Sequence, residues 1–293
     1  MNTVDRITLA CSSSAFLDIP ITEAIKTLAD IGYRAIEIRA GHEKICSNNE
    51  NPSQLIASIK ECLSKHKMAV SNISVANGGL CSDIRQNGVQ KPILNGDIQL
   101  NESYIEQIKY YASLARELRC ESLTISPGRA IKGRGENTVR SCLITGLNNV
   151  TKFARGVGVS VGVTYGQGLI LQTASDVQAL FPKVRGLKLA FHTGNAHLAC
   201  ETPCVVVTEL KNYIKHIHIA DVGNGGRVFV LPNEGEIEWI SFFRTLNWIG
   251  YRGFVTVDLS SYRDMPDLAA KRACYYLSNL LNAFGQSRKQ GAA

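Results

Sequence analysis

Residues 214–221 read Ile-Lys-His-Ile-His-Ile-Ala-Asp, and this alternation decides the class of fold. Side chains along a β-strand point to opposite faces in turn. Ile217 and Ile219 therefore share one face, while His216, His218 and Ala220 share the other. A strand built this way meets an apolar layer on one side only. The same split recurs nearby. In 186–192, Leu187, Leu189 and Phe191 oppose Lys188, Ala190 and His192. In 253–259, Val255, Val257 and Leu259 oppose Phe254, Thr256 and Asp258. In 159–165, Val159, Val161 and Val163 oppose Ser160, Gly162 and Thr164.

Four more runs toward the N-terminus have β-like composition: 7–11, 34–39, 68–75 and 122–126. Helical patterns follow the eight runs, at about 21–32, 52–66, 102–118, 138–155, 173–181, 202–210, 237–248 and 265–284. Strict alternation of strand and helix predicts a parallel sheet with right-handed crossovers. Eight such units in 293 residues predict closure. The expected fold class is α/β, a single (β/α)8 TIM barrel. One domain is expected over 1–293, with the barrel at about 7–285 and a C-terminal tail at about 286–293. No Gly-x-Gly-x-x-Gly follows the first run, which weakens the open dinucleotide-binding sheet. Thr22 and Asn101 stand as cap-like residues before first-turn acids. Two long stretches, 77–101 and 221–236, lack periodicity and follow strand C-termini. In a barrel that is the catalytic face, so both are expected to roof the site.

Composition bounds the rest. Hydrophobic residues make up 45% and charged residues 19%, enough apolar content for a sizeable core and too much for a disordered chain. The formal charge of +7 accommodates an anionic substrate without requiring nucleic acid, and no nucleic-acid partner is expected. Nine cysteines, an odd number with no Cys-x-x-Cys pair, read as reduced thiols in a cytoplasmic protein rather than a disulfide framework or a structural zinc site. No signal peptide or membrane span is evident, so no membrane partner is expected; homo-oligomerisation is left open.

In a barrel the bulky strand face meets the helices and the other face lines the interior. Thr164, His192, His218 and Asp258 thus converge near the C-terminal ends of four strands. By the same parity Glu37 and Arg39 face inward, with Ile36 and Ile38 outside. A lone inward histidine is most often a hydrogen-bonded core residue. Two histidines with an aspartate at the catalytic rim put metal or catalytic chemistry on equal standing with that reading. His216 sits about 6–7 Å deeper than His218 along its strand and reads as structural. Asp221 either orients His218 or caps the loop after it. Arg129, Lys132 and Arg134 either hold an anionic group or form a solvated loop.

Several segments, in this order, resemble the xylose-isomerase-like barrel superfamily of sugar isomerases, epimerases and dehydratases. They are IGYRAIEIRA (31–40), GVSVGVTY (158–165), LKLAFHTGNAHLA (187–199), HIHIAD (216–221), LPNEGEIEW (231–239) and GYRGFVTVDL (250–259). The resemblance covers nearly the whole chain. It implies a metal-binding Glu where Thr164 stands, Asp-Thr-Gly-His where His192-Thr193-Gly194-Asn195 stands, a metal His at His218, and a second Glu where Asp258 stands. The implied metal ligands are His192, His218 and Asp258, with Thr164 and Asn195 beside the substrate and Arg129 and Arg134 as anion contacts. Charge at the site falls from about −3 to about −1 with neutral histidines. Two imidazoles and a carboxylate suit zinc, iron, cobalt or nickel better than hard magnesium or manganese. The site departs far enough from the family pattern that a metal-free state stands beside a metal-bound one, with manganese kept among the ions to test.

The resemblance implies an enzyme acting on a small polyol or keto-sugar-like substrate by deprotonation beside a carbonyl. Asp258 and His218 are the first candidates for that work, with Glu37 and His197 as further acid–base groups. Altered chemistry on the same barrel, a lyase or a 2-His-1-carboxylate metal enzyme, is the alternative. A non-catalytic ligand-binding barrel is the third reading. A repair nuclease would need a richer His, Asp and Glu cluster than six histidines and this rim offer.

Overall fold

A computed structural model describes residues 7–44, 52–76, 78–83, 98–131, 133, 135–223 and 229–290. Eight parallel strands close into a barrel: β1 (Ile7–Ser12), β2 (Ala35–Arg39), β3 (Ala69–Val75), β6 (Ser122–Ile125), β7 (Ser160–Val163), β8 (Lys188–His192), β9 (Ile214–Ile219) and β12 (Gly253–Val257). They stand in sequence order, and β1 pairs with both β2 and β12. Two small antiparallel ribbons lie outside the barrel: β4 (Cys81–Asp83) with β5 (Ile98–Leu100), and β10 (Asp221–Val222) with β11 (Phe229–Val230). The outer layer holds α1 (Ile21–Ile31), α2 (Pro52–His66), α3 (Glu102–Glu117), α4 (Glu136–Gly156), α5 (Ala174–Gln178), α6 (Thr193–Leu198), α7 (Pro203–Glu209), α8 (Trp239–Trp248) and α9 (Pro266–Gln290). Among the described residues no helix is long and apolar enough to cross a membrane.

Period-two parity explains the layering. Ile36, Ile38, Leu123, Val161, Leu189, Phe191, Ile217 and Val255 are buried in the apolar core between strands and helices. Their neighbours Glu37, Thr124, His192, His216, His218 and Thr256 are buried polar residues of the interior. Asn101 caps α3 by accepting the Tyr104 N–H at 3.2 Å, as expected. Thr22 does not cap α1; Pro20 holds the N-cap position with no side-chain hydrogen bond.

Two irregularities shift this pattern. The β2–β3 register passes from Ile36↔Val70 to Glu37↔Asn72, so Ser71 is an extra residue in β3. The β8–β9 register passes from Leu189↔Ile214 to Ala190↔His216, so Lys215 is an extra residue in β9. Ser71 and Asn72 consequently both reach interior partners, Thr256 and Glu37. The expected roof from 77–101 is not formed by its described part. The β4–β5 ribbon packs on α4, where Leu80 and Leu100 enclose Gly146. Residues 84–97 lie outside the described residues.

Candidate active site

The deepest part of the site is built on Glu37 of β2. Its Oε2 accepts from Asn72 Nδ2 at 2.6 Å and faces His218 Nε2 at 2.5 Å and His216 Nε2 at 3.4 Å. Asn72 Nδ2 also reaches Thr124 Oγ1 at 2.9 Å. Four strands thus lock one carboxylate in place. Burial alone would raise the Glu37 pKa. The His218 charge, the nearby His216 ring and the His218 hydrogen bond outweigh it and hold the carboxyl well below the usual range. Burial likewise works against a charged His218, but Glu37 and Asp258 raise its pKa above the ordinary imidazole value. His216 goes the other way: burial pushes it down to about 4, so it is neutral. The deep cluster therefore favours the ionised form of Glu37 and the protonated form of His218, beside a neutral His216.

One step nearer the mouth, His192 Nε2 lies 3.4 Å from Asp258 Oδ2. His192 is also the N-cap of α6: its Nδ1 accepts the Asn195 N–H at 3.2 Å. In the neutral ring an accepting Nδ1 leaves the proton on Nε2, aimed at Asp258. Asp258 further accepts from Ser260 N at 2.8 Å, Ser260 Oγ at 3.1 Å and Ser14 Oγ at 3.4 Å. Burial opposes its ionised form, but the His192 hydrogen bond, with the Ser260 N–H and the His218 charge, lowers its pKa. Phe229 of β11 covers His192 with ring centroids 4.8 Å apart. A Cβ on Gly194 would come within 2.6 Å of the Phe229 ring, so only glycine admits this contact.

The expected roof from 221–236 is present in its described part. Asp221 caps that loop rather than orienting His218. Its carboxylate accepts from Val222 N, Asn233 N, Ile237 N and Trp239 Nε1 at 2.7–3.1 Å. Gly235 passes so close to this clasp that a Cβ would overlap Val222 O and Asp221 Oδ1.

Other anticipated residues fall at different distances from the chemistry. His192 and Asp258 meet, while His218 Nε2 turns down to Glu37, so the three anticipated metal ligands do not close on one point. Thr164 Oγ1 reaches only the Tyr165 carbonyl, at 3.5 Å. The Asn195 side chain donates to that same carbonyl at 2.6 Å and so ties α6 to the end of β7. His197 sits farther along α6 and faces Glu236 at 3.3 Å. Arg129 is exposed, on a backbone bridge to Leu169, and Lys132 and Arg134 lie outside the described residues. Asn72, Ser14, Ser260 and Phe229 are site residues that parity and spacing did not single out.

The donor set can be tested against a divalent ion. Among the described residues, Glu37, His216 and His218 bring one ligand atom each within 4.8 Å of one another. Tetrahedral zinc with nitrogen and oxygen ligands needs donor separations of about 3.3 Å. The Glu37–His216 separation of 3.4 Å meets this, and His216 Nε2 is buried with no hydrogen-bond partner. The Glu37–His218 contact at 2.5 Å suits a shared proton and would have to open by about 1 Å. The residue types fit a borderline metal, which would replace the His218 proton. His192 fits less well, because ligating histidines usually donate from the second nitrogen, and its Nδ1 accepts.

A family described as xylose isomerase-like TIM barrel matches residues 25–280. The chain is 22% identical over 262 residues to a fructoselysine 3-epimerase of Escherichia coli O157:H7, covering 87% of this chain and 91% of that protein. It is 27% identical over 161 residues to an inosose dehydratase of Lacticaseibacillus casei, covering 48% of this chain and 54% of that protein. A crystal structure of the IolI protein with a bound zinc atom superposes with a TM-score of 0.75 at 14% identity, covering 94% of this chain and 99% of that one.

Proposed function

The chain belongs to the xylose isomerase-like TIM barrel family, and on that premise we propose that it is an isomerase or epimerase of small polyhydroxylated carbonyl compounds. The observation that carries this reading is the placement of two histidine–carboxylate pairs, different in spacing and in partners, under one mouth. Sites that move protons beside a carbonyl need a base, an acid and a fixed charge near the developing oxyanion.

Asp258 is the base. Held by His192 and Ser260 it is ionised, and in that state it is a weak base. A substrate hydroxyl that takes over either donor leaves Asp258 more basic, facing the substrate carbon. His192 presents its Nε2–H at the same place as a hydrogen-bond donor to a substrate oxygen, and Asp258 gives back the proton it has taken up. Protonated His218 beneath them supplies positive charge for the enolate oxygen, and Glu37 keeps it protonated. Phe229 excludes water from the His192 side. Glu37, His216 and His218 are the residues that would hold a divalent ion, which polarises a carbonyl when bound. The zinc in the IolI structure supports metal binding by a barrel of this shape.

A dehydratase outcome shares the first step and adds loss of a hydroxyl as water, with Asp258, protonated in that step, as the acid. The similarity to inosose dehydratase supports it. Free thiols at all eight described cysteines support a cytoplasmic setting. The test is incubation of the protein, with and without zinc, manganese or cobalt, with fructoselysine and with inosose, followed by NMR. An epimer or an enone lost on Asp258→Asn substitution supports the proposal. Unchanged substrates in all mixtures, with saturable binding of one of them, establish the non-catalytic barrel instead.

A further inference from the structure

The barrel has a second mouth. At its N-terminal end a cavity of about 600 Å³ is lined by Ala69, Ser122, Ile214 and Gly253, the first residues of β3, β6, β9 and β12. His218 stands four steps beyond Ile214 along β9, so this floor lies about 13 Å from the catalytic cluster. Four cations stand on it, Arg119, Lys211, Lys215 and Arg252, against one carboxylate, Glu121. Lys215, the bulged residue of β9, pairs with Glu121 at 3.1 Å. Among the described residues Arg119, Lys211 and Arg252 have no ion-pair partner. Ser122 is buried in the same lining, and its Oγ has no hydrogen-bond partner. The remaining wall is apolar, from Val70, Ile214, Ile249 and Phe254.

Three unneutralised cations around a concavity raise the local potential and favour a multiply charged anion. Guanidinium groups match phosphate oxygens in pairs, and an unpaired hydroxyl supplies a further donor. A phosphate ion alone would leave most of this volume and all of its apolar wall without contacts. The size falls in the range of pockets that hold small organic molecules. We propose that the N-terminal mouth binds a small phosphorylated organic molecule. Its phosphate lies among Arg119, Lys211, Arg252 and Ser122, and its organic part lies against Ile249 and Phe254. The concave shape and the apolar wall favour such a ligand over a nucleic-acid strand, which would track an open basic groove. This inference does not depend on the chemistry at the other end.

The experiment is calorimetric titration of the full chain at low salt with adenosine monophosphate and with inorganic phosphate. Saturable adenosine monophosphate binding, tighter than that of phosphate, is expected. Each lost charge-assisted contact should weaken it about tenfold or more, so Lys211→Gln/Arg252→Gln should nearly abolish it. Both side chains are exposed, so the fold should persist; Arg252→Gln alone serves if the double variant does not fold. Ser122→Ala should weaken binding by a smaller factor, and Asp258→Asn should leave it unchanged. The proposal is overturned by no binding of either probe up to about 10 mM, or by undiminished binding in the Arg252 variant. Loss of binding on Asp258→Asn, which places the probe at the catalytic mouth, overturns it too. A single-stranded oligonucleotide that binds more tightly than adenosine monophosphate and displaces it also overturns it, in favour of nucleic acid.

Discussion

His192 with Asp258 and His218 with Glu37 are the same chemical pair set at two depths in one barrel. The upper pair is separated by 3.4 Å, with side chains 9% and 18% exposed; the lower is at 2.5 Å, with side chains 9% and 2% exposed. Asp258 shares its oxygens with serines that a ligand can displace, whereas Glu37 is held by Asn72 and two histidines inside the barrel wall. Depth therefore separates the roles. The lower pair is a fixed charge and a metal-type donor set, and the upper pair can exchange its partners with a substrate.

The comparison breaks most visibly at Asp258. Asp258→Asn is expected to lower turnover by about a thousandfold, within the usual range for losing a general base. The same change should cost only about 1 kcal/mol in stability, because the amide keeps the size of the side chain. Urea unfolding beside a turnover assay checks both halves. Glu37→Gln should do the reverse in stability, destabilising the fold by about 3 kcal/mol because a buried charged partner is left behind. Differential scanning calorimetry reads this as a fall in Tm. Zinc sharpens the contrast. At a hundredfold excess over Kd, it should stabilise the wild type by about 2.7 kcal/mol. His216→Gln should remove that increment and His192→Gln should keep it.

The smallest effect is titration. Nitrogen-detected NMR should place His218 above the ordinary imidazole value and His216 near 4. The signs differ between the two. A raised His218 stabilises the fold below the ordinary imidazole pKa, and that contribution is lost as pH rises through its raised value. A depressed His216 stabilises above the ordinary value and is lost as pH falls toward 4. Glu37, also depressed, stabilises above the ordinary carboxylate range and is lost as pH falls through its lowered value. A tenfold difference in proton affinity between the folded and unfolded chain corresponds to about 1.4 kcal/mol.

Alternation of strand and helix made the barrel legible. Period-two parity placed Glu37, His192, His218 and Asp258 on its interior. Parity failed where the chain is irregular. The extra residue at Ser71 turns Asn72 inward, which a strict period of two does not allow. Parity also gives a face but not a reach. His216 looked structural from its depth, yet the Glu37 side chain lies between the two histidine layers and brings them together. Helix α6 escaped notice because it spans six residues directly after β8 and takes its cap from His192 itself. Phe229 belongs to a two-residue strand, too short for any periodic signal. Arg129 shows the limit of adjacency: it follows the end of β6, yet it is exposed and lies on a backbone bridge.

The central claim is that Asp258 removes a proton from carbon next to a carbonyl. Incubation with fructoselysine or inosose in heavy water, followed by proton NMR, reports that step whatever product follows. The account predicts loss of the signal from the carbon beside the carbonyl with wild type, and no loss beyond the uncatalysed rate with Asp258→Asn. Exchange that proceeds equally in the Asp258→Asn variant would contradict it.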